Sequence, residues 1–79
     1  MPRDVGLERL FGRILQKLRT ERGLSQEELG FESNYHRTYI SQLERGQKNP
    51  SLKAIFRLAR VLGIRPSEMI RRIESRVEE

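Results

Sequence analysis

SQEELGFESNYHRTYISQLERG, residues 25–46, is the stretch whose reading decides the fold. Ser25 stands three residues before Glu28, a capping box in which hydroxyl and carboxylate each satisfy the other residue's backbone N–H and so open a helix through Leu29. That helix is brief, because Ser33 and Asn34 follow, and asparagine is a turn residue that tolerates positive φ. Gly30 and Ser33 supply small residues where two closely crossing helices must touch, although glycine costs about 1 kcal/mol in helix propensity relative to alanine. A second short helix over HRTYISQLE buries Ile40 and Leu43, with Tyr39 beside them, and stops at Gly46. Its other face carries Arg37, Thr38, Ser41 and Gln42, which hydrogen-bond well and form no catalytic arrangement.

On either side of this pair the pattern stays helical. Leu7, Leu10, Phe11, Ile14, Leu15 and Leu18 recur at three- and four-residue spacing in a first helix that Gly23 ends. Beyond the polar loop of Gln47, Lys48, Asn49 and Pro50, Ser51 caps a fourth helix with Ile55, Leu58, Ala59 and Leu62 as its core stripe, before Gly63. Pro66, Ser67 and Glu68 open a fifth that carries Met69, Ile70, Ile73 and Val77. No alternating strand pattern occurs, so the class is all-α, five helices in one domain over residues 1–79.

Composition narrows the function. A 79-residue chain builds a modest core that needs dense helix packing, a metal, disulfides or a partner subunit. Cysteine is absent, and the lone His36 builds no metal site by itself, so no cofactor is expected. The apolar runs are too short for a signal peptide or a membrane span, and the expected setting is cytoplasmic. Sixteen Lys plus Arg against eleven Asp plus Glu leave a formal charge of +5, which favours a polyanionic partner. No paired acid and base, nucleophile constellation or phosphate loop can be assembled, so an enzyme is not expected.

Two short helices joined by a tight turn form the unit that sets its second helix in the major groove of DNA. Through residues 25–52 the chain resembles the phage-repressor type of helix-turn-helix domain, the Xre-like family, and the flanking helices fit the same five-helix domain. Within that family it looks most like the controller proteins of restriction-modification systems, which share the RTYIS stretch at Arg37 to Ser41 and the ERG turn at Glu44 to Gly46. Asn34 stands where the family often has glycine, and Tyr35 where a smaller aliphatic is usual, which leaves the packing of Tyr35 open. The resemblance implies that Arg19 and Glu44 form an internal ion pair linking the first helix to the third.

Arg37, in the first turn of the recognition helix, suits a bidentate contact to guanine O6 and N7. Thr38 offers a hydroxyl and a methyl to a base, or is a plain first-turn residue. The ring of Tyr39 reads first as core, with its hydroxyl available to phosphate or base. Ser41 and Gln42 lie one turn on, and Gln42 can read adenine or stay solvated. Gln26, Lys48, Asn49 and Ser51 are candidates for phosphate contacts that set register, Ser51 also serving as a cap and Lys48 also reading as an idle loop charge. Ile64, Met69, Ile70, Ile73 and Val77 are more apolar surface than a terminal helix needs to rest on a small core. Arg71, Arg72, Glu74, Arg76, Glu78 and Glu79 make its solvated face.

The expectation is a homodimer joined through the fourth and fifth helices over about residues 51–77, reading a palindromic operator in double-stranded DNA and helping or blocking RNA polymerase. The alternative for the apolar stripe is that it completes the core of a monomer. If the controller likeness holds, the protein regulates its own gene and a neighbouring endonuclease gene. Rival readings are an antitoxin, a prophage-type repressor and, from another class, an interaction module or coactivator whose basic face binds protein.

Overall fold

The computed structural model describes residues 5–77, in the order α1 (Val5–Glu21), α2 (Gln26–Ser33), α3 (Arg37–Glu44), α4 (Leu52–Leu62) and α5 (Pro66–Val77). The first four helices stop in the same way. Gly23, Asn34, Gly46 and Gly63 all have φ between 66° and 74°. At each, the residue beyond donates its N–H back to the last turn: Leu24 to Arg19 O, Tyr35 to Gly30 O, Gln47 to Gln42 O and Ile64 to Ala59 O, at 2.7–3.1 Å. This is the Schellman arrangement, which satisfies helix-end carbonyls and turns the following residue inward. Leu24, Tyr35 and Ile64, which occupy that following position, all pack against the core. Asn34 takes the left-handed conformation without being a glycine, as its turn chemistry allows.

The helix starts follow their caps. Ser25 Oγ accepts the Glu28 N–H at 3.0 Å and Glu28 Oε1 accepts the Ser25 N–H at 2.8 Å. Ser51 Oγ accepts the Ala54 N–H at 3.0 Å.

One core joins all five helices, built on Phe11, Ile14, Leu15 and Leu18 of α1, Leu29 of α2, Ile40 and Leu43 of α3, Ala54, Leu58, Ala59 and Leu62 of α4, and Met69 and Ile73 of α5. Two glycines set how closely the helices approach. A Cβ on Gly12 would stand 2.5 Å from the carbonyl oxygens of both Leu43 and Glu44, so α1 and α3 touch backbone to backbone there. A Cβ on Gly30 would stand 2.7 Å from Tyr35 O. The propensity lost at Gly30 therefore secures the tight α2–α3 turn. Buried Ser33 donates its hydroxyl to Leu29 O at 2.7 Å and stays satisfied inside its own helix.

The terminal helix requires a correction. Met69 has no exposure and Ile73 is 7% exposed, so these two expected interface residues belong to the core of the single chain. Ile64 is half-buried as the inward residue of the α4 stop. Only Ile70 and Val77 of the expected set are exposed. The surplus apolar surface lies elsewhere, at Leu7, Phe31, Leu52 and Phe56. A groove of about 370 Å³ beside Ile70 is walled by Leu7, Phe11, Pro50, Ile55 and Ile73. Arg71, Glu74 and Arg76 are exposed and Arg72 half-exposed, while Glu78 and Glu79 lie outside the described residues. Among the described residues no helix is long and apolar enough to cross a membrane.

Candidate nucleic-acid interface

Helix α3 begins on a histidine. The backbone of His36 is extended (φ −73°, ψ 147°), and its Nδ1 accepts the Thr38 N–H at 3.1 Å, a role that needs the lone pair on that nitrogen. Histidine lies outside the usual N-cap residues, so the sequence pattern alone does not mark His36 as the cap of α3. From this cap the helix runs for eight residues, Ile40 and Leu43 turned wholly into the core. Arg37 and Thr38 are exposed, and Ser41 and Gln42 are half-buried on the flank. The four polar side chains thus share a helix whose inner side is locked.

The C-terminal end of α3 is held by charge as well as by Gly12. Arg19 Nε donates to Glu44 Oε2 at 2.6 Å and Nη2 to Oε1 at 3.0 Å, a bidentate pair whose side chains are only 11% and 4% exposed. Arg19 Nη1 also donates to Leu24 O at 2.8 Å, so one guanidinium ties α1, the loop after it and α3 together. Its hydrogen bond to Glu44 raises the Arg19 pKa, burial opposes the rise, and the Glu44 charge adds to it. Gln26, expected on phosphate, also joins this pair: its Nε2 donates to Glu44 Oε1 at 2.9 Å, which uses one of the two amide hydrogens.

The N-terminal end of α3 is held by aromatic packing. Tyr39 is half-buried and its ring lies 4.8 Å from that of Tyr35, tilted by 43°. Arg57 of α4 places its guanidinium carbon 5.2 Å from the centre of the Tyr35 ring. Both tyrosines pack against the core. The sequence does not reveal this stack, because Arg57 is 22 residues beyond Tyr35 and lacks any motif.

The loop between α3 and α4 exposes Lys48 and Asn49. Asn49 also borders the apolar groove, and the Ser51 hydroxyl is taken up in capping α4. Arg37, Lys48, Arg45 and Lys53 are all exposed along the stretch from α3 to the start of α4, where the one acid, Glu44, is neutralised by Arg19. This surface is positively charged and suits a polyanion.

A profile of the helix-turn-helix family matches residues 15–69. The chain belongs to the helix-turn-helix family, and it is a DNA-binding transcriptional regulator. The control protein C.BamHI of Bacillus amyloliquefaciens is 42% identical over 62 residues, covering 77% of this chain and 76% of that protein. The control protein C.MunI of Mycoplasma sp is 42% identical over 65 residues, covering 81% and 88%. Among solved structures, the restriction-modification controller protein C.AhdI from Aeromonas hydrophila superposes with a TM-score of 0.76 at 48% identity, covering 78% of this chain and 94% of that one.

Proposed function

We propose that this helix-turn-helix regulator is a restriction-modification controller that binds a palindromic operator as a homodimer and governs its own gene. The observation that carries this reading is the recognition helix: Ile40 and Leu43 are buried, and Arg37 and Thr38 stand exposed in the first turn. The resemblance to control proteins at 42% to 48% identity supports it.

In this mechanism α3 enters the major groove by its N-terminal end. Arg37 donates two parallel hydrogen bonds to guanine O6 and N7, worth about 1–3 kcal/mol of discrimination against other bases. Thr38, Ser41 and Gln42 read neighbouring edges, and Tyr39 offers its hydroxyl to base or phosphate. Lys48 and Asn49 bind the backbone beyond α3 and set register. Ser51 acts by capping α4, and Gln26 acts through the Glu44 network.

Dimerisation uses the groove of Leu7, Ile55 and Ile70 together with exposed Leu52 and Phe56. Two recognition helices then sit about 34 Å apart, one turn of DNA. Control runs through concentration, since dimer formation and operator filling both depend on it. RNA polymerase is the second partner. Helix α2, with exposed Glu27 and Glu32 and an 84% exposed Phe31 on its surface, offers it an acidic and apolar face.

DNase I footprinting over DNA upstream of the protein's own gene tests the proposal. The expected result is a symmetric protected site with two half-sites one helical turn apart. Uniform weak protection without a preferred site would reject it.

A further inference from the structure

We propose that Arg57 and Tyr35 are positioning residues for base readout, a clamp in which the Arg57 guanidinium seats the Tyr35 ring and the Tyr35 ring sets Tyr39 on the recognition helix. The proposal rests on the DNA-reading role of α3 given above. It concerns a residue pair outside the recognition helix.

The two ends of α3 are held unequally. Its C-terminal end is fixed by backbone contact at Gly12 and by the bidentate Arg19–Glu44 pair. Its N-terminal end carries Arg37 and Thr38, the side chains that must be in register with base edges, and no ion pair reaches it among the described residues. An eight-residue helix has little stability of its own, so its first turn takes its orientation from what it rests on. That support is the turn before it. The Tyr35 N–H is bonded to Gly30 O at 2.7 Å, and the Tyr35 carbonyl lies against Gly30, where no Cβ fits. The Tyr35 backbone is therefore pinned, and the position of its ring decides where Tyr39 lies.

Arg57 decides the ring. Its guanidinium carbon stands 5.2 Å from the Tyr35 centroid, within cation–π range, and Arg57 has no carboxylate partner among the described residues. The Tyr39 ring then meets Tyr35 at 4.8 Å in a tilted geometry that aromatic quadrupoles favour. The stack links α4 to the third residue of α3 through two contacts. Arg57 follows Phe56 directly on α4, so the helix that exposes Phe56 at one position braces the recognition helix at the next.

The test uses the full chain, the duplex protected in the footprint, variants of that duplex changed at one base pair in each half-site, and a scrambled duplex. Arg57→Met keeps the aliphatic stem and removes the cation, while Arg57→Lys restores a cation. Arg57→Met is expected to lower the ratio of affinities for operator over single-pair variants by about three- to ten-fold, the size of a lost cation–π and aromatic contact. Binding to scrambled DNA and the salt dependence should stay as in the wild type, and Arg57→Lys should recover most of the ratio. Tyr35 and Tyr39 are the only tyrosines and tryptophan is absent, so the near-ultraviolet circular dichroism of the free protein should change with Arg57→Met. Equal losses on operator and scrambled duplex, with a salt slope shallower by about one unit, would make Arg57 a phosphate contact and overturn the clamp. A lower melting temperature with unchanged discrimination would overturn it as well. A wild-type protein that does not distinguish operator from scrambled DNA would defeat the operator reading and the clamp with it, whereas wild-type discrimination untouched by Arg57→Met would defeat the clamp alone.

Discussion

Replacing Glu44 with alanine removes the acceptor on which three donors converge: Arg19 Nε at 2.6 Å, Arg19 Nη2 at 3.0 Å and Gln26 Nε2 at 2.9 Å. The Arg19 side chain is only 11% exposed, so water cannot take over these bonds, and the guanidinium keeps just the Leu24 carbonyl. Leaving one member of a buried pair alone costs about 3–5 kcal/mol. A chain of this length has a total stability of about 4–12 kcal/mol, so the loss is a quarter of it or more. At about 4–8 °C per kcal/mol for a domain of this size, the melting temperature should fall by at least about 12 °C, followed by far-ultraviolet circular dichroism. Arg19→Met combined with Glu44→Leu should recover much of that loss, because an apolar pair leaves no orphaned charge. Because hydrogen bonding to Glu44 raises the Arg19 pKa, the stability linked to the arginine's charge is complete at neutral pH and is lost as pH rises through its raised value. A fall of less than about 2 °C for Glu44→Ala, or one that vanishes in strong salt as a surface pair's would, refutes the reasoning.

Neighbours on α5 should separate folding from assembly: Met69→Ala, inside the core, should cost about 2–5 kcal/mol, whereas Ile70→Asp should leave the fold intact and shift sedimentation towards monomer. If the Ile70 variant sediments as the wild type does, the groove is not the interface. Arg37→Ala should lose about 1–3 kcal/mol on the operator and far less on scrambled DNA, while Lys48→Ala should weaken both alike and flatten the salt dependence; titrations over a salt series read both. In acid, the capping box should fail in a defined direction. The Ser25 N–H, and then its hydroxyl, hold the Glu28 carboxyl below its ordinary value, so its contribution is present above the ordinary glutamate range and lost as pH falls through the lowered one. Melting temperature against pH should therefore decline less steeply for Glu28→Gln, and parallel curves would rule out a role for this carboxylate.

What the sequence settles by itself is local. The Ser25–Glu28 box, the Ser51 cap and the stops at Gly23, Asn34, Gly46 and Gly63 are interactions between residues at most five apart, so a reader of the chain sees both partners at once. The helical stripes were legible for the same reason, and with them the class of the fold. Family resemblance supplied the Arg19–Glu44 pair, which spacing alone does not reveal.

Tertiary structure decided which part of each stripe faces inward. Met69 and Ile70 are adjacent and both apolar, yet one has no exposure and the other 45%, because a helix turns 100° between neighbours and only one of them meets the core. It likewise joined Gln26 to Glu44 and brought Arg57 over Tyr35, a position whose packing the sequence leaves open. It also gave Gly12 a purpose, since a missing side chain has meaning only when another backbone lies where that side chain would be. These contacts join residues 18 to 32 positions apart, and they exist only once the helices have packed.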